Sequence, residues 1–425
     1  MNIEELHQLF VSSEGISTDT RKLNQNTLFF ALKGANFNGN KFAEEALKEG
    51  CSYAIIDEAE YKTDDRCILV DDVLNTLQQL ARHHRRQFNI PVLGITGSNG
   101  KTTSKELIGA VLEKKYNLLI TEGNLNNHLG VPFTLLRMTN EHEFAVIEMG
   151  ANKPGDIKEL CEIAEPNYGI ITNIGAAHIE GFGSLDGVIN TKTEMYRFIE
   201  SGKGKLFVNA DDNILTQRIP KLETRTYGEK EGDVKGSLIA LNPFVLFSYN
   251  EGDFTSHPIQ THLVGKYNFT NFLAAVCIGR FFDVSHENIS HALEGYTPSN
   301  NRSQVQKTEK NTLIVDCYNA NPTSMNAAIE SFKMMDSTKK TAILGDMLEL
   351  GEISDQEHQA IIARFEESDI QLITVGKEFG KTLSKNHFST AEELMNSAQL
   401  NEIIGHLILL KGSRGIQLEK LIPNL

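Results

Sequence analysis

Apolar residues in this chain fall into short continuous runs, separated by stretches in which they recur at helical spacing. V-L-G-I-T (92–96), F-A-V-I-E (144–148) and Y-G-I-I-T-N-I (168–174) are runs of this kind. They fit strands of a parallel sheet covered on both faces. After Lys105, the segment L-I-G-A-V-L places Leu107, Ile108, Val111 and Leu112 on one helix face. The middle of the chain is therefore doubly wound α/β, with a mainly parallel sheet. Further on, T-L-I-V-D (312–316), T-A-I-L-G (341–345), I-Q-L-I-T-V (370–375) and H-L-I-L-L-K (406–411) alternate with helical patterns. They predict a second α/β unit of Rossmann-like spacing that lacks G-x-G-x-x-G. Before residue 88 the pattern is mixed α/β. Short apolar runs at 27–32 and 51–56 flank a helix that closes at Gly50, and a second helix over 77–87 leads to Pro91. The pattern gives three domains: 1–88, 89–300 and 301–425.

The length of 425 residues agrees with three domains, each able to bury its own core. Forty-one basic against 56 acidic side chains leave a net charge of −15, which opposes a nucleic-acid footprint. It does not oppose small phosphorylated ligands, which a few amides and one lysine can bind. The five cysteines are scattered without a C-x-x-C pair, as in a reducing compartment. No stretch approaches the roughly 18 apolar residues of a membrane helix, and M-N-I-E-E-L-H lacks the basic start of a signal peptide. A cytoplasmic protein without membrane or nucleic-acid partners is expected.

The strongest local signal is G-I-T-G-S-N-G-K-T-T (94–103), which follows a strand and opens a helix. The backbone of Gly97, Ser98, Asn99 and Gly100 can wrap phosphate oxygens at a helix N-terminus. Lys101 supplies a cation for the β- and γ-phosphates, the Thr102 hydroxyl can ligate Mg²⁺, and Thr103 follows. Ile95 stands where the common loop formula has its first glycine. ATP binding is expected here. Glu148 ends a strand, where a carboxylate can face the cation, although an isolated strand-end acid is more often solvated. His178 follows the strand at 168–174, at the end where open α/β sheets hold ligands. Taken alone, His178 reads as a loop histidine and Lys192 as a surface lysine.

These residues and their surroundings resemble the Mur ligases of peptidoglycan synthesis. T-G-S-N-G-K-T-T, E-M-G-A-N-K-P-G-D-I, T-N-I-G-A-A-H-I-E-G-F-G-S and N-T-K-T-E-M-Y occur in the family's order. So do G-K-Y-N-F-T-N-F-L-A-A (265–275), N-R-S (301–303), D-C-Y-N-A-N-P-T-S-M (316–325), L-G-D-M-L-E-L-G (344–351) and L-K-G-S-R (410–414). The likeness runs from Asp19 to Arg414. It implies ATP-driven amide ligation through an acyl phosphate. Y-N-A-N-P, L-G-D-M-L-E-L-G and G-N-L-N-N-H-L-G-V-P (123–132), with D-N-P-R absent, point to addition of D-alanyl-D-alanine to UDP-N-acetylmuramoyl-tripeptide.

By the same resemblance, Lys101, Glu148, His178 and Lys192 are catalytic. One Mg²⁺ would sit on Thr102 and Glu148, a second on His178 and a carbamylated Lys192. Asn268, Asn271, Arg302, Asp316, Tyr318 and Asn319 would contact ATP. For any one asparagine of D-C-Y-N-A-N-P, helix capping is an equal alternative. Thr18, Asp19, Thr20 and Arg21 would bind the UDP-substrate, with threonine where the family has serine. Asn126, Asn127, Asn321, Lys411, Ser413 and Arg414 would also face substrate; for the last three a basic strand-end loop is the alternative. Asn38 and Asn40 flank Gly39 where the family has an acid and a histidine, and Tyr267 replaces a histidine. A monomer acting on small molecules follows. The rival readings are another amino-acid ligase of the superfamily, such as a folylpolyglutamate synthetase, or a non-catalytic ATP-binding scaffold.

Overall fold

A computed structural model describes residues 1–298 and 301–425. The second joint, expected at 300, falls on residues outside this range. The architecture is mixed α/β, built on three main sheets.

In the central sheet the strand Val92–Thr96 lies between Phe144–Glu148 and Tyr168–Ile171, all parallel. The chain leaves Val92–Thr96 outward to Leu118–Ile120, returns to Phe144–Glu148, then crosses to the other side. Strand order reverses at Val92–Thr96, and such a reversal opens a crevice at the carboxyl ends. All five residues of this strand are buried, as its unbroken apolar run requires. Helix Lys101–Leu112 packs on helix Tyr267–Phe281. The second helix is apolar almost all round and is covered on every side.

The sheet then continues in a way the runs did not predict. Beyond Thr224–Gly228, an antiparallel ribbon of Val234–Leu241, Phe244–Glu251 and Ile259–Val264 extends it. Its residues alternate between core and solvent, the signature of strands with one wet face.

The C-terminal sheet has the order Gln304–Lys307, Thr312–Asp316, Leu407–Lys411, Lys340–Gly345, Gln371–Val375, His387–Phe388. Its first pair is antiparallel and the others are parallel. The small N-terminal sheet of Ile16–Ser17, Leu28–Phe30, Tyr53–Ile56 and Cys67–Leu69 is parallel throughout. Helix Val73–Arg85 joins it to the central body: Leu77 and Leu80 share one apolar cluster with Leu28, Phe30, Val131, Leu160 and Ile163. No helix among the described residues is long and apolar enough to cross a membrane.

Candidate active site

The phosphate loop takes its shape from backbone that only glycine adopts cheaply. Gly97 has φ 147°, and a Cβ there would lie 2.0 Å from the Thr172 hydroxyl. Gly100, at φ 76°, turns the chain into helix Lys101–Leu112. The segment Thr172–Gly175 clamps the loop from the neighbouring strand end. The Asn99 N–H donates to Asn173 Oδ1 at 3.0 Å, and the Asn99 carbonyl accepts from Thr172 and Asn173. Ser98 Oγ donates to the Gly175 carbonyl and accepts its N–H.

A cavity of about 1170 Å³ opens above this loop. Ser98 to Thr103 line it from below, together with Asn126, Asn127, Glu148, His178, Asn268 and Asn271. Arg302, Asp316, Tyr318, Asn319, Lys411, Ser413 and Arg414 line it from the C-terminal sheet. The carboxyl ends of two separate sheets therefore face one space. Thr18, Asp19, Thr20 and Arg21 do not reach it. Asp19 caps the turn Thr20–Lys22 and forms a bidentate pair with Arg21, which holds its carboxyl down at about 2.

Lys101 Nζ donates to the Gly97 carbonyl at 2.7 Å, folded onto its own loop. Burial pushes this amine down to about 8, against the attraction of Glu148. Glu148 is almost wholly buried, not a solvated strand-end acid. Its Oε1 accepts from Thr102 at 3.2 Å and from Asn126 at 2.7 Å. Its Oε2 is buried without a hydrogen-bond donor, with Lys105 Nζ 3.8 Å away. A buried carboxylate oxygen with no hydrogen bond and only a distant lysine is costly, so it marks a place for a cation. Lys192 is likewise buried rather than on the surface, 5.5 Å from the Phe182 ring centre. Among the described residues its amine makes no hydrogen bond. Burial, then repulsion from Lys101, hold it well below the ordinary lysine value. His178 meets Glu349 through Nδ1, and burial lowers its ring against the pull of that carboxylate.

Several candidates serve as scaffolding in this arrangement. Asn268 donates to the Val264 carbonyl and accepts from Asn271, which accepts from Ser104. This chain ties helix Tyr267–Phe281 to the loop helix. Asn127 Oδ1 accepts from the Leu129 and Gly130 N–H groups, fixing the turn that leads into helix Gly130–Leu135. Asn321 caps helix Pro322–Met334 in a capping box and donates to Asn99 Oδ1 at 2.7 Å. Lys411 is paired with Asp316 at 2.7 Å, and Ser413 accepts from the Leu348 N–H. Asn319 accepts from the Ala320 N–H. Arg302 stacks 3.8 Å over the Tyr318 ring, with Arg414 at 5.6 Å; the Arg302 Nε is buried and unpaired. Tyr267, in the histidine's place, bonds Ser303.

Sequence reasoning passed over Lys105, Asn173 and Glu349. Lys105 sits one helical turn beyond Lys101 on the loop helix, a spacing that points both toward the same strand ends. Glu349 lies inside the motif 344–351, which gave no hint of its partner.

Three family models cover this chain in order. They are described as Mur ligase family, catalytic domain (residues 13–85), Mur ligase middle domain (95–279) and Mur ligase, glutamate ligase domain (301–414). A UDP-N-acetylmuramoyl-tripeptide--D-alanyl-D-alanine ligase from Bacillus subtilis (strain 168) is 34% identical over 97% of this chain and 93% of its own. The chain belongs to the Mur ligase family. Among solved Mur ligases, MurF from Acinetobacter baumannii is similar at TM-score 0.89 and 31% identity, over 100% of this chain and 98% of that one. MurF from Thermotoga maritima, solved in complex with ADP, is similar at TM-score 0.88 and 27% identity, over 97% of each chain. The three-domain Mur ligase architecture expected from the sequence is thus the one the chain adopts.

Proposed function

We propose that this Mur ligase joins D-alanyl-D-alanine to UDP-N-acetylmuramoyl-tripeptide at the expense of ATP, in peptidoglycan synthesis. The observation that carries the reading is end-to-end likeness to ligases of that name. The terminal carboxylate of the tripeptide attacks the γ-phosphate and becomes an acyl phosphate. The dipeptide amine then displaces phosphate, forming the amide.

The physical obstacle is anionic crowding, since a carboxylate must approach a triphosphate. Loop amides at the helix N-terminus and Lys101 supply fixed positive charge there. To reach the phosphates, Lys101 Nζ leaves the Gly97 carbonyl. Arg302 and Arg414, stacked on Tyr318, stand on the opposite wall. The pair Asp316–Lys411 braces that wall from within, and Asn321–Asn99 ties it to the loop.

The donor set fits Mg²⁺ at Glu148, whose Oε2 accepts no hydrogen bond and lies beside the Thr102 hydroxyl-bonded Oε1. Mg²⁺ would offset phosphate charge at this point. Among the described residues no three His, Cys, Asp or Glu side chains converge as a metal site. A second ion near His178 therefore needs oxygen from elsewhere, and a carbamate on Lys192 supplies it. Carbamylation joins the neutral amine to CO₂ and releases one proton. The lowered, unbonded Lys192 amine supports that step. The reading has a single chain working in the cytoplasm, with the N-terminal unit holding the UDP moiety.

Phosphate release from ATP tests the function, with UDP-N-acetylmuramoyl-tripeptide and D-alanyl-D-alanine supplied together and singly. Release that requires both is expected. Release with neither, or with glutamate and a folate, would overturn the substrate assignment and keep the ATPase core. ATP binding without release under any of these would favour the scaffold. Full activity in Lys192→Ala would remove the carbamate.

A further inference from the structure

The loop after strand Lys340–Gly345 brings Glu349 from the C-terminal unit onto His178 of the central unit. Glu349 Oε2 and His178 Nδ1 are in hydrogen-bond contact across 171 residues of chain. A carboxylate is an acceptor, so Nδ1 carries the proton in this pair. Among the described residues the ring's other nitrogen, Nε2, has no partner, and His178 lines the cavity.

The loop that delivers Glu349 is built for placement. The Met347 N–H donates to Nε2 of His358 at 3.0 Å. His358 is fully buried, and its Nδ1 bonds the Ser354 carbonyl at 2.7 Å. The next amide, Leu348 N–H, donates to Ser413 Oγ at 3.0 Å. Ser413 in turn donates its own N–H to the Asp346 carbonyl. Glu349 and His178 both hold left-handed backbone, φ 64° and 53°, a region that non-glycine residues enter only when their surroundings fix them. Two unusual backbone positions thus meet side chain to side chain, one from each unit.

We infer that Glu349 is a positioning residue: by accepting from Nδ1–H it fixes the tautomer and plane of His178, a residue that lines the cavity, and leaves the Nε2 lone pair free. A free imidazole carries its proton on either nitrogen and rotates; a carboxylate partner removes both freedoms. The contact exists only while the C-terminal unit is docked, so docking and the readiness of His178 are one event. The inference rests on the proposed function only in the use to which His178 is then put.

Imidazole ¹⁵N–¹H correlation on full-length protein carrying labelled histidine, saturated with a non-hydrolysable ATP analogue without Mg²⁺ so that the C-terminal unit is docked, tests this directly. The His178 signals are assigned by their loss in His178→Ala. The expected wild-type pattern is Nδ1-protonated. Glu349→Ala shifts it toward the Nε2-protonated form and lowers kcat about tenfold, with KM for ATP nearly unchanged. In Glu349→Gln the amide oxygen still accepts, so the tautomer and most of the lost kcat return. An unaltered His178 pattern in Glu349→Ala overturns the inference, whatever the activity does. Loss of the pattern in Glu349→Gln as well as Glu349→Ala does so too, since an acceptor would then not suffice. The spectra need bound nucleotide but neither the tripeptide substrate nor turnover, so failure of the proposed ligation leaves this test intact.

Discussion

Lys101 shows how far one residue's charge depends on what fills the site. Burial holds its amine at about 8, with Arg302 adding repulsion and Glu148 opposing. A triphosphate in the loop supplies counter-charge and raises it again. Nucleotide binding near pH 8 should therefore take up as much as about half a proton, and almost none near pH 6, where the amine is already charged. Calorimetry in two buffers of different ionisation heat reads that uptake directly. Equal uptake at both pH values, or the same uptake in Lys101→Met, would refute the assignment. Stability carries the same signature. Between about 8 and the ordinary lysine value, the unfolded chain holds a proton that the folded chain has released, so the stability due to this group rises with pH. Lys101→Met should then raise the melting temperature of the ligand-free protein most at neutral pH. That gain should shrink as pH passes 8.

At the scale of elements, helix Pro322–Met334 has a double task, because its cap Asn321 also donates to the phosphate loop at Asn99. The two tasks separate by substitution. Asn321→Ala loses both and should cost about 1 kcal/mol of stability, lowering the melting temperature by roughly 3 °C. Asn321→Asp keeps the cap but cannot donate to Asn99. It should melt near wild type while kcat/KM for ATP falls about tenfold, the effect of one unmade buried hydrogen bond. Equal activity in Asn321→Asp and wild type would leave Asn321 a cap alone. The elements themselves were largely written in the sequence. Val92–Thr96, Phe144–Glu148 and Thr312–Asp316 occupy the very runs that predicted them, because strands buried on both faces keep their middle positions apolar and carry polar residues at their ends. The ribbon over 234–264 was passed over although it carries L-I-A-L (238–241) and F-V-L-F (244–247); its strands alternate between core and solvent, which the parallel-sheet pattern does not describe. The site divides in the same way. The phosphate loop is local and was legible. The pairs His178–Glu349, Asn99–Asn321 and Asp316–Lys411 span 171, 222 and 95 residues, and no local pattern encodes a partner so distant.

In the whole molecule the three units are joined by two different kinds of contact. The N-terminal and central units share one apolar cluster along helix Val73–Arg85, and Arg82 and Arg86 pair with Glu165 beside it. Separating them would expose that cluster, so they move as one body. The C-terminal unit meets the central one through a smaller apolar patch, where Val264, Phe244 and Tyr267 join its cluster, and through Asn321–Asn99 and Glu349–His178, which bridge around a cavity of about 1170 Å³. The polar bridges contribute on the order of 1 kcal/mol each and the shared apolar patch is small, so this unit is held less firmly than the N-terminal one. The C-terminal unit is therefore expected to be the one that swings, with nucleotide holding it closed. A non-hydrolysable ATP analogue with UDP-substrate should shrink the radius of gyration in small-angle X-ray scattering. The liganded curve should match this arrangement of units and the ligand-free curve a more open one. Glu349→Ala and Asn321→Asp, each lacking one bridge, should need more analogue to reach the same compact curve. Identical scattering with and without both ligands would mean that the units stay docked throughout, and that His178 is held in place before any substrate arrives.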